Sequence, residues 1–111
     1  MIDDVLVDVL RRAGKMSRAD LVKALNLTSK HPDRQLRNIK ERVNLGTGRF
    51  ANTLIVGFSD RKGYKLADTE AELTHFIIET NHRLMSLQAQ LSKAWRMREE
   101  IRKEKESNYD F

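Results

Sequence analysis

The 111-residue chain has no cysteine, one proline and five glycines, and aromatic side chains make up only 6% of it. Without thiols there is no disulfide framework, no Cys-ligated zinc or iron–sulfur centre and no thiol nucleophile. Long apolar runs are also missing. Stretches such as Leu54-Ile55-Val56-Gly57-Phe58 fall far short of the roughly 20 residues that span a bilayer. The opening Met1-Ile2-Asp3-Asp4 has no basic segment followed by an apolar one, so no secretory signal is expected. We expect an intracellular, cytoplasmic, soluble protein without membrane attachment. With 40% hydrophobic residues and a single proline, a folded and largely helical chain is expected, with disorder confined to its ends. The length suits one ordinary domain.

Charge is present in quantity and unevenly placed. Residues 1–68 carry 14 basic and 8 acidic side chains, and residues 69–111 carry 7 and 8, so the excess of +5 divides into +6 and −1. A basic excess confined to one segment is the footprint of a polyanion-binding surface.

Apolar residues at Val5, Leu6, Val9 and Leu10 have helical spacing, with Asp3 and Asp4 before them and Arg11, Arg12 and Gly14 after, which complements the helix dipole. Ser17 with Asp20 opens a second, short helix with Leu21, Val22, Ala24 and Leu25 on its apolar face, and Asn26 is its expected terminator. Pro32 suits the first turn of a third helix with a buried stripe of Leu36, Ile39 and Val43. From Leu45 to Asn52 the chemistry is that of a loop. Thr53 to Ser59 then reads as a strand, Asp60-Arg61-Lys62-Gly63 as a turn, and Tyr64 to Ala67 as the returning strand of a hairpin with a basic tip. Thr69-x-x-Glu72 has capping-box form, and no glycine or proline interrupts the chain from there to about Lys105. A helix of that length extends about 55 Å. Its apolar positions Leu73, Ile77, Leu84, Leu87, Leu91, Ala94 and Ile101 follow alternating steps of four and three once Thr80 and Arg98 fill two places, and Phe76, Trp95 and Met97 flank this seam. The expected organisation is a domain over 1–68, an oligomerisation helix over 69–105 and a flexible tail over 106–111.

Three helices followed by a basic hairpin resemble the winged helix-turn-helix DNA-binding superfamily. Ser17-Arg18-Ala19-Asp20-Leu21-Val22 is similar to the start of its positioning helix and Asp33-Arg34-Gln35-Leu36-Arg37-Asn38-Ile39-Lys40 to its recognition helix. Leu54 to Phe58 with Gly63-Tyr64-Lys65-Leu66 resembles its wing. The likeness covers about residues 3 to 67, and with the helical tail it extends loosely to small phage or prophage members. It implies a mainly α fold with a small β-hairpin, a winged helix-turn-helix followed by a long coiled-coil helix, that acts on double-stranded DNA.

The residues support the same expectation independently. With Leu36, Ile39 and Val43 facing the core, 100° per residue sets Arg34, Arg37, Asn38 and Glu41 on the opposite face, with Lys30 and Arg42 at its margins. Arginine reads guanine bidentately, asparagine suits adenine and glutamate accepts from cytosine. Arg61 and Lys62 at the hairpin tip, Lys65 beside it and Arg18 at the second helix are expected to neutralise phosphates. A homodimer through Leu73, Ile77, Leu84, Leu87, Leu91, Ala94 and Ile101 would present two such faces to symmetric half-sites.

Other signals are weaker. Gly46-Thr47-Gly48-Arg49-Phe50-Ala51 has the letters of a dinucleotide-binding glycine motif, but a helix precedes it and a strand follows, the reverse of the required context. His75, Glu79 and His82 share one side of the long helix without an evident fourth ligand, so no metal is expected. No grouping of nucleophile, base and carboxylate stands out. The chain reads as a non-enzymatic, cofactor-free DNA-binding dimer that regulates transcription or assists another DNA transaction. The alternative is a module that grips replication, transcription or host regulatory proteins through the winged helix or the long helix.

Overall fold

The computed structural model describes residues 1–57 and 63–109. The elements run α1 (Ile2–Ala13), β1 (Lys15–Ser17), α2 (Arg18–Ala24), α3 (Pro32–Leu45), a 3-10 turn (Gly48–Phe50), β2 (Ile55–Gly57), β3 (Gly63–Leu66) and α4 (Glu70–Tyr109). The chain is mainly helical, with a small three-stranded antiparallel sheet and a long C-terminal helix. It divides into two units, Met1–Leu73 and Thr74–Phe111.

Local chemistry explains the element boundaries of the first unit. Gly14, at φ 81°, ends α1 in a conformation that a side chain disfavours, and its N–H returns to the Leu10 carbonyl at 2.9 Å. Ser17 caps α2 by accepting from the Asp20 N–H at 3.1 Å. The other end of α2 is a Schellman motif. Asn26 takes the left-handed conformation at φ 55°, its N–H reaches the Lys23 carbonyl, and the Leu27 N–H reaches the Val22 carbonyl. Pro32 occupies the first turn of α3, where a missing N–H costs nothing. Its stripe of Leu36, Ile39 and Val43 is fully buried, as expected.

These helices close around one core of Leu6, Val7, Leu10, Leu21, Leu25, Leu36, Ile39, Val43, Ile55 and Tyr64. The sheet departs from the expected hairpin. β3 is its central strand, paired with β2 through Ile55 opposite Leu66 and with β1 through Met16 opposite Tyr64. The third strand, Lys15–Ser17, is too short to carry an alternating pattern and exists because β3 offers it an edge. β2 begins at Ile55 rather than Thr53, and the expected turn at Asp60-Arg61-Lys62 lies outside the described residues.

Ion pairs and side-chain bonds hold the layers together. Arg42 of α3 donates two hydrogen bonds to the buried Asp3 of α1, at 3.2 and 2.9 Å. Arg49 in the 3-10 turn grips Asp4 through two bonds at 2.7 and 3.2 Å and lies 4.5 Å from the Phe50 ring centre. The side-chain amide of Asn44 donates to the Ile55 carbonyl at 3.0 Å, and its oxygen accepts from the Ile55 N–H at 2.8 Å. One residue of α3 thereby satisfies both backbone groups of the first residue of β2.

Thr69 caps α4 as expected, but the return bond of the Glu72 carboxylate goes to the residue before the cap. Thr69 Oγ1 accepts from the Glu72 N–H at 3.2 Å, and Glu72 Oε1 accepts from the Asp68 N–H at 3.2 Å. From this cap α4 continues to Tyr109, four residues beyond the expected end of the helix. The charged run Arg102 to Glu106 contains good helix formers and offers no breaker.

Candidate nucleic-acid interface

The core stripe of α3 fixes what its other side presents. Arg34, Arg37, Asn38 and Glu41 are all exposed, with Lys30 exposed just before the helix. Lys30, Arg34 and Arg37 also line a shallow polar concavity of about 330 Å³ at the start of α3, together with His31, Pro32 and Asp33. The four expected base-reading residues and Lys30 therefore share one surface.

Tyr64 joins β3 to this surface. Its side chain is buried, and that burial pushes its phenol above the ordinary range, while the positive charges of Arg18 and Arg37 act in the opposite direction. Arg18 of α2 and Arg37 of α3 thus lie within electrostatic reach of one tyrosine. The Lys40 ammonium sits 5.2 Å from the Tyr64 ring centre, in cation–π contact. Lys40 was missing from the expected set because the helical wheel places it toward the core edge. The pairing that holds it there is between α3 and β3, which the period of α3 alone cannot reveal.

Ion pairs divide the basic residues into two groups. Arg42 belongs to the first group: its guanidinium is held by Asp3, which ties α1 to α3, while the side chain, expected at the margin of the reading face, remains exposed. Lys65, expected among the phosphate contacts, falls in the first group too. Its ammonium bonds to Glu72 and to Asp68 at 3.4 Å, linking β3 to the cap of α4. The bond from Lys65, with the Asp68 N–H second, holds the Glu72 carboxyl down at about 2. Arg49 is neutralised by Asp4, whose carboxyl its hydrogen bond holds below the usual range.

In the second group, Arg18, Lys30, Arg34 and Arg37, like Arg12 and Lys23 elsewhere on the first unit, have no acidic ion-pair partner among the described residues. All four are exposed. Arg61 and Lys62 lie outside the described residues, so their expected phosphate contacts have no geometry here.

The remaining expectations fall on α4. Leu73, Ile77, Leu84, Leu87, Leu91 and Ile101 are 41–63% exposed, and Ala94 is exposed as well. Trp95 and Met97 beside the seam are exposed too. His75 pairs with Glu79 one turn away at 3.1 Å, and no group of three His, Cys, Asp or Glu among the described residues could hold a metal ion. No helix among the described residues is long and apolar enough to cross a membrane. Comparison with protein-family models, curated proteins and solved structures finds no match for this chain.

Proposed function

We propose that the chain is a non-enzymatic winged-helix protein that binds double-stranded DNA as a homodimer, regulating transcription or assisting another DNA transaction. The observation that carries this reading is the sorting of charge. Cations that neighbouring carboxylates neutralise serve packing, whereas Arg18, Lys30, Arg34 and Arg37 surround the solvent face of one helix without compensation. The order of elements, helix, strand, two helices and two strands, accords with a winged helix whose α3 enters the major groove, a space about 12 Å wide that admits one helix. Arg34, Arg37, Asn38 and Glu41 are the base readers in this proposal. Lys30 and Arg18 take phosphates, Lys40 joins them from beside Tyr64, and Arg61 and Lys62 are retained on sequence grounds alone. The exposed seam of α4 supports the dimer, since a largely apolar stripe left open along a helix calls for a partner.

An electrophoretic shift of random and genomic duplex DNA at low salt tests the reading. Duplex is retarded by the wild-type chain, and Arg34→Ala with Arg37→Ala weakens binding by tenfold or more, consistent with about 1–3 kcal/mol for each guanine contact. Absence of any shift, or a double variant that binds as the parent does, overturns it.

One observation favours a second reading, a protein-interaction module. Leu45 at the end of α3 is 80% exposed and follows Glu41 on the same outward side, an apolar contact suited to a protein surface. Strong retention on DNA resin favours the first reading, and loss of a co-purifying protein on Leu45→Ser favours the second.

A further inference from the structure

We propose that α4 pairs with α4 of a second copy in antiparallel orientation, with Leu87 of one helix facing Leu91 of the other. The proposal deepens the dimer reading above and rests on it. Alternating steps of four and three assign Ile77, Leu84, Leu91 and Arg98 to the a positions of a heptad, and Leu73, Thr80, Leu87, Ala94 and Ile101 to the d positions. Two polar residues therefore interrupt the seam, Thr80 at d and Arg98 at a.

Direction decides what those two residues meet. In a parallel, in-register pair each a position faces its own copy, so Arg98 is pressed against Arg98 and two like charges lose water together. In an antiparallel pair a faces d. With Leu87 opposite Leu91, the other layers are Ile77 with Ile101, Leu84 with Ala94, and Thr80 with Arg98. Both interruptions then fall in one layer, where the guanidinium can donate to a hydroxyl instead of opposing another cation. Sliding the pair by one heptad in either direction sets Arg98 against Leu73 or Leu87, so the register is selected along with the direction.

Charge along the helix points the same way. Residues 70–88 carry three acidic side chains and one basic, a net of −2, and residues 89–106 carry six basic and four acidic, a net of +2. Antiparallel pairing lays each half on its complement, and parallel pairing lays like on like. The flanking positions agree. Gln88 faces Gln88 and Gln90 faces Gln90 beside the two-fold axis, Asn81 meets Trp95 and Arg83 meets Met97, with no like charges opposed. At the exposures found, the large seam side chains offer on the order of 600 Å² per copy, which brings the pair to the lower end of specific interface sizes before the flanking residues are included.

The arrangement has a geometric consequence. Leu73, where α4 leaves the first unit, lies level with Lys105 of the other copy, so the two Leu73 positions stand about 48 Å apart along the pair at 1.5 Å per residue. A parallel pair would hold them about 10 Å apart, side by side.

The absence of cysteine makes the test clean, because a single introduced thiol is the only one in the chain. Full-length Gln90→Cys and Leu84→Cys variants, both at exposed sites, are treated with a short bis-maleimide at a concentration where sedimentation reports a dimer. The antiparallel pair gives a crosslinked dimer with Gln90→Cys and none with Leu84→Cys, whose thiols lie about 15 Å apart along the axis. Crosslinking through Leu84→Cys, with or without Gln90→Cys, overturns the proposed direction and leaves the dimer reading standing. A monomer at every concentration by sedimentation overturns the dimer reading itself.

Discussion

The two units of this chain contain similar apolar residues and use them in opposite ways. In Met1–Leu73 the leucines, isoleucines and valines at helical spacing meet one another from three helices and a sheet, and Leu6, Leu21, Leu36 and Val43 lose all contact with solvent. Along α4, side chains of the same kind at the same kind of spacing stay 41–63% exposed. Burial is thus a property of several stripes brought together, and one stripe on one helix supplies only half of an interface. The same contrast holds for charge. Where carboxylates and cations lie at the layer boundaries of the first unit they pair across elements, as Asp3 with Arg42 and Lys65 with Glu72 do, whereas on α4 beyond Leu73 Arg96 pairs with Glu100 one turn away.

The largest test of this contrast is a matched pair of truncations. Leu36→Ala empties a fully buried site and should cost the first unit about 2–5 kcal/mol in denaturant unfolding. Leu84→Ala should change that stability by less than about 0.5 kcal/mol, as expected for an exposed position, while weakening self-association in sedimentation. A smaller effect is expected at Asn44. Its replacement by Ala leaves the N–H and carbonyl of Ile55 without their partner, and unfolding should report a loss of about 1–3 kcal/mol. Circular dichroism of α4 should be unaffected.

The smallest effect is electrostatic and lies at the cap of α4. The Glu72 carboxyl titrates at about 2 in the fold against an ordinary value of 4.5. A depressed acid contributes stability above its unfolded value and loses it as the pH falls through the folded one, so this contribution should disappear between about pH 4.5 and 2. Glu72→Gln should flatten that part of an acid unfolding curve.

Much of this was legible in the sequence. The capping residues Ser17 and Thr69, the Pro32 start of α3 and the stripe Leu36, Ile39 and Val43 are local signals, and each acts where its chemistry says. The outward set of Arg34, Arg37, Asn38 and Glu41 followed from the period of one helix. What escaped were relations between elements. Lys15–Ser17 becomes a strand because β3 lies beside it, Lys40 meets the Tyr64 ring of β3, and Arg42 and Lys65 are paired with Asp3 and Glu72. A helical wheel can place a cation on a face, but it cannot say whether a carboxylate from another part of the chain is already there.

In the proposed reading, the unpaired cations around α3, rather than the net charge of the chain, meet phosphate. Anisotropy titrations of a labelled duplex over a range of salt concentrations, comparing Arg37→Ala with Arg49→Ala, address it directly, since each variant removes one positive charge. The expected result is weaker binding and a salt dependence lowered by about one for Arg37→Ala, with Arg49→Ala close to the parent because Asp4 already neutralises that side chain. Equal losses in the two variants, or no binding by the parent, would rule out phosphate contact through these cations.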